Sequence, residues 1–508
     1  MSLEILRGPN PDRRRWMGAT FGGAAYALAC GGAFAAEPIE PPAEAAPVLG
    51  TADGGPVTRT SISPYISMQE IYTDNVDLSP EGARSDFITR AAAGLQANLA
   101  DGRLTGALEA EYAYDWYARN GKFSGGSVSA QGSGDFSLIP KRLWIEADGS
   151  ISDGYPSTFR APAIDRAGAA GRTQIGIFRV GPRMKAPVDG FAELEAVVRY
   201  ERVDYSSQSA DSLLRLPPSA NIVQALGQLS TGEHSTRYEL ITTGAFVHDD
   251  NGYQAADAVQ SLYARVFPKV RLVGRAGYEG ILQRGVVDID APVLSAGVEF
   301  RPNAASRLTF EGGQRYRRAA WSAKADLKVS DRLQLTGQYY ETLTPDQVYV
   351  ANTFEDFVEQ IENLPAPVIQ QTFVVRENLY NQTSYNKTAE LHAVHTARTD
   401  QLDFSVRWSD RRFFGVHAED RWLYSSVEYK RRVRPDLEFG AELEYTRTFQ
   451  SPIYGASESY GGGGLLLYRL NSSADLQVAY RHTTGIQFTP ATAKIAENIF
   501  QVAIVKRF

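Results

Sequence analysis

Cysteine is almost missing from this chain. One residue in 508, Cys30, carries a thiol, which excludes a disulfide framework and any cysteine-based metal cluster. An excess of positive charge is missing too. Lys+Arg 52 stand against Asp+Glu 59, a formal net charge of -7, whereas a nucleic-acid binder carries a basic footprint. Beyond the N-terminus no apolar run approaches the ~20 residues that a spanning helix needs. With a mean hydropathy of -0.29, a bundle of transmembrane helices is excluded. Catalytic signatures are lacking as well: G-x-S-x-G, H-E-x-x-H and a phosphate loop do not occur. Of the six histidines, His392 and His395 lie three apart on an expected strand, so they face opposite sides and share no metal. Neither a metal nor a cofactor is expected. His248-Asp249-Asp250 could mimic a barrel-protease acid–base site, but solvated loop polarity accounts for it more simply.

What the chain does have is aromatics at 11%, with Tyr 26 and Phe 23, and an export-like start. Arg13, Arg14 and Arg15 precede the small and apolar stretch Trp16 to Phe34, and Ala33-Phe34-Ala35 reads as a cleavage site. Residues 1–35 are therefore expected to be a Sec-type signal peptide; the twin-arginine pattern is matched only loosely. Ala27-Leu28-Ala29 before Cys30 makes a poor lipobox, so Cys30 is expected to leave with the signal. Residues 36–60, with Pro38, Pro41, Pro42, Gly54, Gly55 and Pro56, read as a flexible periplasmic leader.

From residue 61 to 508 apolar and polar residues alternate with a period of two. Leu108, Ala110, Tyr112, Tyr114 and Trp116 oppose Glu109, Glu111 and Asp115; Leu437, Phe439, Ala441, Leu443 and Tyr445 oppose Glu438, Glu442 and Glu444. Such alternation marks half-buried antiparallel strands. Tight polar turns, among them Asp101-Gly102, Pro140-Lys141, Pro268-Lys269 and Pro435-Asp436, alternate with longer loops. Aromatics recur at strand ends: Tyr112, Tyr114, Trp116, Tyr200, Tyr278, Tyr316, Tyr445 and Tyr480. Short turns, long loops and aromatic girdles characterise outer-membrane barrels. The chain ends on Phe500, Val502, Ile504, Lys506 and Phe508 at alternate positions, the pattern of an assembly signal read by the barrel assembly machinery. Lys506 departs from it, although a lysine near the membrane edge can snorkel. The expected fold is all-β: a closed antiparallel transmembrane barrel of about 16–22 strands in the outer membrane, bounded by lipid.

A barrel this wide cannot fill its lumen with strand side chains. The expected inward positions carry both signs of charge, including Arg199, Arg271, Arg275, Arg315, Arg407 and Glu442, with Trp144, Tyr117 and Tyr340 as inward aromatics. Only 10 of the 52 cations are lysine. Guanidinium forks suit carboxylates, phosphates or sugar hydroxyls, and aromatic faces suit sugar rings. The simpler reading is that opposite charges pair across the wall. One connection, from about Leu343 to Lys387, is far longer than the rest. Within it Thr353 to Asn363 has helical spacing, with Phe354, Phe357 and Ile361 on one side, Thr353 as N-cap and Pro365 as stop. This loop is expected to fold inward as a gate or cap.

Ser61-Ile62-Ser63-Pro64-Tyr65-Ile66-Ser67, Tyr72-Thr73-Asp74-Asn75 and Ser85-Asp86-Phe87-Ile88-Thr89 resemble the opening of an outer-membrane barrel family associated with PEP-CTERM/exosortase systems, within the putative β-barrel porin type 2 group. Tyr340-Glu341-Thr342-Leu343-Thr344, Asn386-Lys387-Thr388 and Arg407-Trp408-Ser409-Asp410-Arg411-Arg412 are similar too. The resemblance covers residues 61–508, carries no catalytic residues and implies a place in exopolysaccharide or matrix secretion. The leading expectation is thus an exit channel, not an enzyme, for a polysaccharide, working with periplasmic export proteins. A general or solute-specific diffusion porin is the alternative, and a barrel hydrolase a distant third.

Overall fold

The computed structural model describes residues 60–154, 166–167, 172–188, 190–207, 218–231, 237–351, 383–414, 418–452, 455–488 and 492–508. The expected signal peptide, nearly all of the leader, and Phe354, Phe357 and Ile361 lie outside them.

Twenty-two antiparallel strands form one sheet. In chain order they are β1 Ser61–Thr73, β2 Asp86–Asp101, β3 Leu104–Tyr117, β4 Gly125–Ile139, β5 Leu143–Gly154, β6 Thr173–Val188, β7 Ala192–Ser207 and β8 Ala220–Ser230. There follow β9 Tyr238–Asp249, β10 Tyr253–Phe267, β11 Val270–Gln283, β12 Val287–Asn303, β13 Ser306–Arg315, β14 Arg318–Lys328 and β15 Leu333–Pro345. The last are β16 Thr383–Thr396, β17 Asp400–Phe413, β18 Glu419–Arg434, β19 Leu437–Gln450, β20 Ser457–Asn471, β21 Ala474–Gln487 and β22 Ala493–Arg507. Each strand pairs with its sequence neighbour, and β1 pairs with β22 from Tyr65↔Arg507 to Thr73↔Ile499. The ring is closed, as it must be where hydrocarbon offers no partner to an open edge. Strand spacing and tilt for twenty-two strands imply a ring roughly 40 Å across. Helical geometry among the described residues is confined to a 3-10 turn at Gly121–Phe123 and to residues 346–351.

The two faces of the wall differ in chemistry. Met68, Tyr72, Phe87, Tyr112, Trp116, Leu443, Phe500 and Ile504 are exposed, while Asp115, Glu201, Glu279, Glu311 and Glu497, on the opposite parity, are buried. Paired residues share a face, so the register carries this division round the ring: Tyr72↔Phe500, Thr89↔Trp116, Tyr112↔Val128. An unbroken exposed apolar belt belongs in hydrocarbon. Phe500, Val502, Ile504 and Phe508 of the expected assembly signal lie on that outer parity with Lys506, whose ammonium reaches Ser473 Oγ at 2.5 Å.

The two ends of the ring also differ. At one end sit both barrel termini and tight turns such as 102–103, 268–269, 304–305, 435–436 and 472–473. The other end carries the longer connections, 74–85, 155–172, 208–219 and 346–382. That asymmetry is not uniform, because 250–252, 284–286 and 316–317 are tight turns at the loop end. They leave a low rim across β9–β14.

One girdle assignment needs correction. Tyr316 is not on the outer belt: β13 stops at Arg315, and Tyr316 and Arg317 form a two-residue turn with φ of 53° and 59°. This left-handed hairpin geometry is normally the province of Asn and Gly. It turns the Tyr316 ring into the barrel, where it is buried and meets Tyr385 edge-on at 6.1 Å.

Candidate functional site: the lumen wall and the connections packed inside it

The β15–β16 hairpin carries the largest excursion. Its ladder runs to Leu343↔Tyr385 and Pro345↔Thr383, and residues 346–351 are helical; the Thr353 to Asn363 stretch lies outside the described residues. Residues 346–351 (Asp-Gln-Val-Tyr-Val-Ala) are all buried. Val348, Val350 and Ala351 join Leu343, Tyr316 and Tyr385 in a core that includes Ile175, Ile177, Val203, Ile222, Val247, Tyr253, Ile281 and Val287. Those wall residues lie at the loop-end tips of β6–β12. Tyr253, Val287 and Tyr316 each stand at or next to one of the tight turns of the low rim. The rim is low and apolar where the excursion crosses it, and Tyr253 Oη donates to the Leu343 carbonyl at 3.1 Å.

The opposite side of this segment is held by charge. Asp346 is ion-paired to Arg411 on β17, and both are buried. Asp420 on β18 lies 3.9 Å from the same guanidinium. The Tyr349 hydroxyl bonds to Arg407, whose Nε lies 2.9 Å from Glu390. An apolar side packs on the β6–β12 tips and an ion pair fastens the other side to β17, so residues 346–351 sit inside the barrel at its loop end. Of the long loop, residues 346–351 are described, and they pack against the inner core at the loop end.

A second connection does the same at the β1–β22 seam. Arg166, fully buried, pairs with Glu497 at 2.7 Å and reaches the carbonyls of Asn75 and Val76. Ala167 N donates to Asp115 at 2.8 Å, and Tyr117 Oη donates to the Ala167 carbonyl. Tyr117 thus points inward, as the alternation required.

Below these inserts the lumen wall is braced by ion pairs. Arg199 meets Glu146 at 3.2 Å; Arg271 meets Glu239 at 2.9 Å; Arg275 meets Glu311 at 2.6 Å. Arg315 joins Glu279 at 3.1 Å and Asp257 at 3.3 Å, and Glu442 is paired with Arg481. The guanidinium of Arg183 lies 5.1 Å over the Trp144 ring and binds Glu146 at 2.6 Å. Tyr340 has the inward parity of Gln338 on β15. Every one of these nominated residues therefore faces the lumen, but they are spread round the ring and do not converge on one site. Their charges pair across the wall, the simpler of the two expectations.

The spacing of two pairs has a clear cause. Glu442 and Arg481 sit on alternate strands with Gly463 between them (Glu442↔Gly463↔Arg481). A Cβ there would lie 3.4 Å from Arg481 Cγ; without one, the arginine crosses the intervening strand. Gly181 stands likewise opposite Glu146, and a Cβ on it would fall 2.8 Å from Arg199 Cα. The Gly461–Gly464 run therefore serves close approach inside a strand. The histidine site does not assemble: His248 pairs with Val223 on the outer parity and Asp249 with Ile222 on the inner.

Asp346, Tyr349, Arg166 and Glu497 were not singled out from sequence; Arg411 figured only within the resemblance and Tyr316 only as an outer aromatic. Arg411 and Glu497 had a signal, their inward parity on β17 and β22; the others depend on where the chain folds between strands.

No protein-family model matches the sequence, and no curated protein matches it. Solved structures do match in shape. The ferric-catecholate import receptor Fiu from E. coli K12 (open form) is similar at 11% identity and a TM-score of 0.51, over 89% of this chain and 82% of that one. The siderophore receptor PirA from Acinetobacter baumannii matches at 8% identity and TM-score 0.48, over 90% and 83%. OccAB3 from the same organism matches at 8% and 0.36, over 89% and 100%. The fold is a closed 22-stranded antiparallel barrel of the kind found in outer-membrane proteins.

Proposed function

We propose that this protein is an outer-membrane channel that passes a secreted polysaccharide and is closed at rest by its own loops. The observation that carries this reading is the seat of residues 346–351, apolar on the low-rim side and ion-paired to Arg411 on the other. A 22-stranded barrel encloses a lumen too wide for its strand side chains to fill, and the chain packed inside its loop end is the part placed to close it. Beneath it a corridor of paired Arg and Glu with Trp144 and Tyr340 offers many weak contacts, the condition for a chain to slide without being held. The resemblance of Tyr72-Thr73-Asp74-Asn75 to the PEP-CTERM-associated family supplies the polysaccharide and its periplasmic export partners. The channel reading is preferred to a hydrolase because the charges that line the wall among the described residues are paired round the ring rather than gathered at one place.

The test is a chromosomal deletion in the source bacterium with surface and periplasmic polysaccharide measured separately. Export predicts loss at the surface and accumulation in the periplasm, restored by the intact gene. Normal surface polysaccharide with slowed uptake of small solutes would replace this reading with a diffusion porin.

A further inference from the structure

The ladder between β14 and β15 is short. β14 and β15 pair only from Ala323↔Tyr339 to Lys328↔Gln334, whereas β15 and β16 pair along their full length. Continuing the register would set Ser322 against Tyr340 and Ala320 against Thr342, yet no rung joins them. In hydrocarbon, backbone edges that do not pair are costly, so a half-open seam in a membrane wall calls for a reason. The geometry shows how it stays shut. The loop-end half of β15–β16 leans inward with residues 346–351, and its Tyr385 ring lies against the β13–β14 tip, 4.4 Å from the Arg318 guanidinium. Side chains, not ladder bonds, close the wall there.

At the last rung a groove opens on the outer face. It has a volume of about 480 Å³ and includes Ala323, Ala325 and Gly337, with Val298, Phe310 and Tyr339 around them. These are outer-parity positions within the apolar belt, so the occupant that the surroundings supply is a lipid acyl chain. Lys324 and Gln338 line the same groove from the inner parity, which places polar groups behind an apolar trough.

We propose that the β14–β15 seam is a lateral port for an amphipathic molecule, with its acyl chain in the Ala323–Gly337 groove and its polar head passing towards Ser322 and Tyr340 in the lumen. The ladder also stops short between β4 and β5, at Ala130↔Ile151; the β14–β15 seam differs in having the apolar groove at its last rung. The port does not depend on which polymer, if any, passes axially.

The full-length barrel, reconstituted in vesicles with a phospholipid bearing a diazirine on its acyl chain, is illuminated and its adducts mapped by peptide mass spectrometry. The port predicts adducts on outward Ala323 and also on inward Ser322 and Tyr340, several-fold above those on inward Ser295, which is paired on both sides. Ala323→Phe, which fills the groove from the lipid side, should remove the inward adducts and leave those on Met68 and Leu443. Adducts confined to outward residues would overturn the proposal, as would inward labelling unchanged by Ala323→Phe. Axial conduction is unaffected by either result, so failure here is separate from failure of the export reading.

Discussion

Arg411 of β17 is ion-paired to Asp346, the first helical residue after β15, and neither side chain is accessible to water. The pair joins a wall strand to the segment packed inside the loop end. Breaking a buried pair by removing one member costs about 3–5 kcal/mol. Asp346→Ala leaves Arg411 with the more distant Asp420 at 3.9 Å and should unseat the segment and increase open-channel current, while Asp346→Leu with Arg411→Met and Asp420→Leu, which leaves none of these three charges buried, should restore closure by apolar packing. Single-channel recording of the three proteins checks this; equal currents in all would remove the latch from the account.

Arg166 pairs with Glu497 beside the β1–β22 seam. Arg166→Ala strands a buried carboxylate at the strand pair that closes the ring, and about 3–5 kcal/mol of stability should go with it. The folded band on an unheated detergent gel should convert at a lower temperature than for the intact protein.

Tyr316 occupies a left-handed turn that resists an ordinary side chain, and its buried ring is what holds it there. Burial pushes its phenol above the usual tyrosine range, so it stays neutral across working pH. Tyr316→Asn keeps a residue at ease with that turn but deletes the ring from the core under residues 346–351. Large core truncations cost about 3–5 kcal/mol. The expected outcome is an intact barrel with faster protease cleavage within 346–382; unchanged cleavage would mean that the ring does not support the insert.

Gly463 lets Arg481 reach Glu442 across β20. Gly463→Val should push the guanidinium aside and leave Glu442, half-exposed on the lumen wall, without its partner. Channel selectivity should shift towards cations, measured as a reversal potential in a salt gradient. An unmoved reversal potential would show that this carboxylate lies off the ion path.

Most of the fold was legible because a membrane wall writes itself in residue parity. The alternation sets Tyr112 outside and Glu111 inside and runs through most of the ring, with Arg199, Arg275, Arg315 and Glu442 on inward parity; at the loop end of β15–β16 it breaks, because Leu343 and Tyr385 share the parity of outward Tyr339 yet join the inner core. Parity cannot say with whom an inward charge pairs, since Glu146 and Arg199 are 53 apart in sequence. It also fails where a strand ends. Tyr316 continues the period of Leu308 and Phe310, yet the chain turns at Arg315 and sends it inside. The loop inserts were legible only as length: a long connection was visible, but the seat of Asp346 and the arrival of Arg166 at Glu497 depend on contacts hundreds of residues apart.

The account rests on residues 346–351 closing the lumen. The direct measurement is planar-bilayer conductance of the intact barrel beside one in which 346–382 are replaced by a short Gly-Ser linker. A quiet intact protein and a large, steady conductance in the shortened one is the predicted result. Equal, large conductance in both would contradict closure by the loop.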